Sequence, residues 1–296
     1  ATIFNALNDQ TELALMSQPD LVIWPETATP GMLRIDPISQ QLLDTVASHG
    51  RAYLLAGSMD YRQEPGSDPE YLNTSFLIST NGQIVAAYDK RHLVLFGEIL
   101  PFENQLSFVK RWSPLGFSCI PGDLNQPLIQ IPTQVGPMTL SVLICFEDAF
   151  PYLARRDVRR GARLLINQTN DAWFDGSAAS RQHMANAVMR AVENRVPMVR
   201  AANTGMTCFI DRFGRISERV LGSRGEGRAR GFSVAAVDVF ARSLPLTLYT
   251  RCGDWLFAIP CAMATLATLL FLFRQLLVER LRNGRQRAAA VGSRPS

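Results

Sequence analysis

Three residues of this 296-residue sequence offer chemistry that one site could share: a thiol at Cys145, an ammonium at Lys90 and a carboxylate at Glu26. A cysteine attacks a carbonyl carbon as its thiolate, so it needs a base or a cation close by. Cys145 ends an apolar run in SVLICFEDAF and is followed at once by a polar turn. Glu26 follows a second apolar run in LVIWPETATP, where Pro25 takes the chain out of any sheet. Lys90 follows a third, in YDKRHLVLFGEILP. Singly, each has an ordinary reading: a packed cysteine, a solvated loop glutamate, a surface lysine. Together, three chemical types at the tips of three strands point to nucleophilic acyl chemistry, because strand tips are where α/β folds place reactive groups.

The elements that must position them follow from hydrophobic periodicity. Residues 21–24 (LVIW) and 53–56 (YLLA) read as buried strands, and 37–49 as a helix closed by Gly50. Residues 73–79 and 84–88 flank Asn81-Gly82, a hairpin signal. Buried strands are expected at 140–144 and 164–166, a long helix at 180–195, and further strands at 198–201, 206–211 and 233–239. Strands interleaved with helices argue for layered α/β architecture. Residues 222–231 (GSRGEGRARG) read as an exposed loop.

Charge is unevenly spread. The net charge is +4, yet residues 274–296 hold six arginines against one glutamate, which leaves 1–273 at −1. The body therefore gives no reason to propose nucleic-acid binding. Residues 255–273 (WLFAIPCAMATLATLLFLF) form an uncharged stretch. About 20 apolar residues cross a ~30 Å hydrocarbon layer. A transmembrane helix is expected there, with 241–254 as linker and 274–296 as a basic tail. By the positive-inside rule that tail is cytoplasmic and residues 1–254 lie on the other face. The five cysteines lack the spacing of a disulfide framework, and no CxxC or HExxH pattern suggests a metal.

Longer words then identify a family. WPETATP, YDKRHLVLFGEILPFE, LICFEDAFP, NQTNDAWFDGS, QHMANAVMRAVENRVPMVRAANTG and LYTRCGDW resemble the carbon–nitrogen hydrolase (nitrilase) superfamily, and within it the membrane branch of apolipoprotein N-acyltransferases, from about residue 19 to 255. The resemblance implies an α-β-β-α sandwich over 1–240 followed by one C-terminal transmembrane helix, in the bacterial inner membrane with the catalytic domain periplasmic. It implies Glu26 as general base, Cys145 as nucleophile, Lys90 as oxyanion stabiliser and Glu98 as a further active-site carboxylate. A phospholipid would be the acyl donor and a diacylglyceryl-cysteine apolipoprotein the acceptor, with no metal or cofactor.

Weaker expectations attach to neighbours. Phe146 stands where the family often has Tyr, so only its backbone N–H is available to an oxyanion, and Glu147 orients the site or caps the following helix. Trp173 and Phe174 contact acyl chains or line the domain, while His92 and His183 read as structural. Leu95 replaces a usual proline, which leaves the loop after Lys90 less constrained. The sequence opens at Ala1 without a leader, and only a helical stretch precedes the Glu26 strand. Upstream membrane helices and a first strand are therefore expected to be missing from this polypeptide. Two other readings compete: a membrane-anchored amidase or nitrilase with water as acceptor, and an inactive interaction module.

Overall fold

The protein is described by a computed structural model covering residues 2–49, 52–100, 118–133, 135–174, 178–220, 231–239 and 245–292. It divides into two units, Ala1–Thr250 and Arg251–Ser296.

In the first unit, α1 (Thr2–Leu15) leads into a short strand β1 (Leu21–Ile23), then α2 (Pro37–His49) and the strands β2 (Tyr53–Arg62), β3 (Glu70–Ile78) and β4 (Ile84–Asp89). These four strands form one sheet in the order β1-β2-β3-β4, parallel only between β1 and β2. The expected hairpin joins β3 to β4, with Gly82 at φ 76° in its turn. A second sheet contains β5 (Ile129–Thr133), β6 (Gly136–Ile144), β7 (Leu164–Thr169), β8 (Met198–Ala202), β9 (Thr207–Ile210) and β10 (Ile216–Val220). Its order is β10-β9-β8-β7-β6-β5, with a parallel core β6-β7-β8. Helices α3 (Pro151–Arg159) and α4 (Ala179–Asn194) make the two crossovers that parallel strands require.

Three apolar clusters define the layers. Leu55, Leu77 and Tyr88 of the first sheet meet Ile131, Leu140, Val142, Ile166 and Val199 of the second, which places a core between the sheets. Phe4 of α1 and Leu42 and Val46 of α2 cover the outer face of the first sheet at Leu54, Phe76 and Ile78. Leu153 and Val158 of α3 and Ala187 and Ala191 of α4 cover the second sheet at Leu143, Leu165 and Met198. The result is the expected α-β-β-α sandwich. Each fully buried leucine in these layers contributes about 2 kcal/mol of transfer free energy.

Local signals explain the elements nearest the chemistry. Buried positions 4, 11, 14 and 15 give α1 one inward stripe, and the Trp24 indole donates to Thr11 Oγ1 at 2.9 Å. The Asp36 carboxylate caps α2 by accepting from the Ser39 amide at 2.7 Å. One expectation fails: residues 233–239 join no ladder among the described residues. Their side chains do alternate between half-buried and exposed, and Val237 and Val239 pack against the intersheet core. The alternation marks a chain lying along an apolar surface, which does not require strand pairing. The loop over 222–231 falls outside the described residues except at Gly231.

The segment Leu248–Cys252 forms α5, and its residues up to Thr250 belong to the first unit. Thr247 Oγ1 donates to the Glu193 carbonyl at 2.6 Å and Thr250 Oγ1 to Asn194 Oδ1 at 2.9 Å, which fastens this segment to the end of α4. The second unit is dominated by α6 (Trp255–Gly292), a 38-residue helix. Its stretch Trp255–Leu281, 27 residues long, is apolar and long enough to cross a membrane. At about 1.5 Å per residue it reaches roughly 40 Å.

Candidate active site

Glu26 arrives first. After β1 the chain continues through Trp24, whose amide donates to the Leu55 carbonyl at 2.8 Å, and then leaves the sheet at Pro25. It crosses directly over Gly57 of β2. A Cβ there would lie 2.4 Å from the Pro25 carbonyl oxygen and 2.7 Å from Glu26 Cα, so only glycine lets the chain pass at that height. Lys90 follows β4 and is pinned by its own backbone: its amide donates to the Asn73 carbonyl, and its carbonyl accepts from Gly122, both at 2.8 Å. Glu98 comes from the loop beyond. There Val94 and Cys119 hold its backbone at 2.8 and 2.7 Å, so the loop with Leu95 in place of proline is closed by hydrogen bonds.

These three side chains converge. Lys90 Nζ lies 3.2 Å from Glu26 Oε1 and 2.8 Å from Glu98 Oε1. Asn73 Nδ2 of β3 donates to the same two oxygens at 2.8 and 2.9 Å. The remaining oxygen of Glu26 accepts from the Asn170 amide at 3.0 Å, and that of Glu98 from the Val94 amide at 3.0 Å. Lys90 is 1% exposed. Burial opposes its charge, but Glu26, Cys145 and Glu98 outweigh that and hold its pKa above the ordinary lysine range.

Cys145 enters from the other sheet. It follows β6, opens a 3₁₀ turn (Cys145–Ala149) and adopts φ 52°, a left-handed conformation that a non-glycine residue takes only under constraint. Its thiol senses Glu26, Lys90 and Glu98 and bonds the Thr169 side chain. Burial first, then the Glu26 carboxylate, push its pKa up to about 12 against the opposing pull of Lys90 and Thr169. The resting group is therefore a thiol.

The neighbours divide. Glu147 is fully buried and reaches away from the triad, accepting from the amides of Ile144 (2.7 Å), Arg91 (2.7 Å) and His92 (3.0 Å) and from the Tyr88 hydroxyl (2.8 Å). It closes the Cys145 turn on itself and ties that turn to the strand end carrying Lys90, whereas the following helix α3 takes no side-chain cap. Burial raises its pKa. Phe146 is 39% exposed and meets Phe150 edge-on. Phe174 lies edge-on to His183 at 5.7 Å. The Trp173 side chain falls outside the described residues. Sequence reasoning missed Asn73, Thr169, Asp148, Asp171 and Arg200. For Asn73, Thr169 and Arg200 the available signal was a polar residue inside an otherwise apolar strand, since buried polar groups need partners.

Residues 3–242 match the family profile of carbon-nitrogen hydrolases. The chain belongs to that family. Its carbon–nitrogen hydrolase domain is 41% identical over 197 residues to an apolipoprotein N-acyltransferase of Geobacter metallireducens, covering 67% of this chain and 37% of that protein. A second apolipoprotein N-acyltransferase, from Rhizobium leguminosarum, is 35% identical over 245 residues, covering 81% and 43%. The chain thus spans well under half the length of these relatives. In three dimensions it is similar to an amidase from Nesterenkonia sp., with TM-score 0.53 and 19% identity over 74% of this chain and 80% of that one. That amidase was seen with an acetamide moiety added covalently at its active-site cysteine. At this identity the likeness speaks for the fold.

Proposed function

We propose that this chain is the catalytic part of a membrane N-acyltransferase. It moves a fatty acyl group from a phospholipid, through a thioester on Cys145, to the α-amino group of a diacylglyceryl-cysteine apolipoprotein. The observation that carries the reading is the convergence of Glu26, Lys90 and Glu98 beside a left-handed Cys145 in a chain that continues into an apolar 27-residue helical stretch. The similarity to apolipoprotein N-acyltransferases supports it.

In this mechanism the Cys145 proton passes to Glu26 as sulfur attacks the ester carbonyl. A thiol with its pKa near 12 needs that base at the moment of attack. Lys90, kept charged, faces the developing oxyanion, where a fixed cation in a water-poor site counts most. The C–O bond breaks, the Glu26 proton leaves with the lysophospholipid, and the acyl group stays on sulfur. The acceptor amine then attacks the thioester and loses its proton to Glu26, and the departing thiolate is reprotonated. Lys90 and Glu98 remain paired throughout. The arginine-rich residues after the span support, by the positive-inside rule, a catalytic unit on the periplasmic face of a bacterial inner membrane.

The test is trapping. Full-length protein given acyl-labelled phosphatidylethanolamine acquires a hydroxylamine-sensitive label, and Cys145→Ala loses it. Normal acylation of a diacylglyceryl peptide by Cys145→Ala would overturn the mechanism. Ammonia release from small amides without acyl transfer would favour the hydrolase reading instead.

A further inference from the structure

Four charged side chains unused by this mechanism form a closed ring beneath Cys145. Asp148 comes from the Cys145 turn, Asp171 from a second 3₁₀ turn (Asp171–Phe174), His183 from α4 and Arg200 from β8. None is more than 3% exposed. His183 Nδ1 lies 2.8 Å from Asp171 Oδ1 and Nε2 lies 3.1 Å from Asp148 Oδ1. Arg200 faces the opposite oxygens, Nη1 at 3.3 Å from Asp148 Oδ2 and Nη2 at 2.9 Å from Asp171 Oδ2.

A neutral imidazole has one N–H and would aim a lone pair at one of these carboxylates; an imidazolium turns an N–H to both sides, bonding Asp171 through Nδ1 and placing Nε2 between Asp148 Oδ1 and the Cys145 carbonyl. Two buried carboxylates are also balanced only if His183 joins Arg200 as a cation. The other groups around it do not change this count. Arg200 Nη2 stands 3.2 Å from Nδ1, Ser180 donates to Asp171 at 3.0 Å, and Arg190 donates to the Asp148 carbonyl at 2.8 Å. The rings of Phe146 and Phe174 flank the imidazole. Burial and Arg200 oppose the charge, yet Asp148 and Asp171 raise His183 to about 9.

The ring touches the nucleophile's backbone. His183 Nε2 is also 3.2 Å from the Cys145 carbonyl oxygen, which Asn167 Nδ2 reaches at 3.0 Å. Two donors thus hold the carbonyl of a residue whose φ is 52°. Resting on the reading of Cys145 as nucleophile, we propose that His183 is a positioning residue: as an imidazolium it anchors the Cys145 carbonyl and keeps the strained turn aimed at the acyl donor. Once neutral, the tautomer that still serves Asp171 turns the Nε2 lone pair toward two acceptors, the Cys145 carbonyl and Asp148, and the anchor fails.

The experiment follows Cys145 carbamidomethylation by iodoacetamide in the full chain, peptide by peptide, from pH 6 to 10. In the wild type the rate should climb about tenfold per pH unit with thiolate fraction, then break near pH 9. His183→Gln should react about 100-fold more slowly at pH 7, the scale of a misplaced reacting group, and show no break. His183→Gln/Asp148→Asn, whose ring is neutral again, should regain at least about tenfold. In acyl transfer, kcat should fall with KM unchanged. A wild-type profile that rises unbroken to pH 10, or His183→Gln matching wild type, would overturn the proposal. If the single variant does not fold, the wild-type profile and the double variant decide. A break near pH 9 without phospholipid acyl transfer would sink the functional reading and leave this one standing; transfer with an unbroken profile would do the reverse.

Discussion

Two buried clusters flank Cys145, and their charges add up differently. On the side of the first sheet, Glu26 and Glu98 share one cation, Lys90, and the neutral Asn73, for a net charge of −1. On the side of the second sheet, Asp148 and Asp171 share Arg200 and a charged His183, for a net charge of zero. The residual negative charge of the first cluster is a vacancy for a proton, as a general base needs. The second has no such vacancy: both Asp171 oxygens and Asp148 Oδ2 accept hydrogen bonds, and Asp148 Oδ1 faces His183 Nε2 at 3.1 Å. The contrast separates groups suited to exchanging protons from groups suited to holding shape, although both are built from the same residue types.

Substitutions can break the comparison. Glu26→Gln removes the excess charge and should cut thioester formation about 10³-fold in single-turnover trapping, while the urea midpoint holds or rises. An equal loss of stability would mean that the two clusters are alike. Arg200→Met leaves two carboxylates to one histidine and should cost about 3–5 kcal/mol in urea denaturation, as removal of one partner from a buried pair does. A change below 1 kcal/mol would deny the second cluster its structural part.

Acidity sharpens it further. The folded His183 pKa of about 9 lies above the unfolded value of 6.5. Its contribution is therefore fully present below about pH 6.5 and is lost as pH rises through about 9. The size is about 3 kcal/mol. Chemical denaturation of wild type and His183→Gln at pH 6 and pH 10 should show the gap between them closing at the higher pH. The smallest effect is expected at half-exposed Phe146. Phe146→Leu should shift stability within about 0.5 kcal/mol, and a larger loss would make that ring part of the second cluster.

Much of this was legible in the sequence, for identifiable reasons. Glu26, Lys90 and Cys145 each follow an apolar run, and strand ends can be located from hydrophobicity alone. A layered α/β fold could be expected because strands and helices alternate plainly, as at 37–49 and 180–195, while the α-β-β-α sandwich followed from the family resemblance. Asn73 and Arg200 were not legible. Both lie inside strands, and the partner of a buried polar group depends on which strands stack, which periodicity does not encode. His183 looked structural because its two carboxylates are distant in sequence, on two separate turns. Residues 233–239 misled because alternation records burial and not hydrogen bonding.

One amide joins the halves. Gln168 of β7 donates through Nε2 to the Leu55 carbonyl of the opposite sheet at 3.2 Å and to the carbonyl of Trp24, just past β1, at 2.6 Å. Glu26 and the Cys145 thiol stand on different layers, so the gap between them is an interlayer spacing, set by the thickness of the apolar filling and clamped by this side chain. The reactivity of such a molecule can be retuned from its interior: trading a methyl at Ile166 or Leu77 would alter the stacking height, and with it the stroke a proton must travel, while leaving every reacting atom in the sequence unchanged.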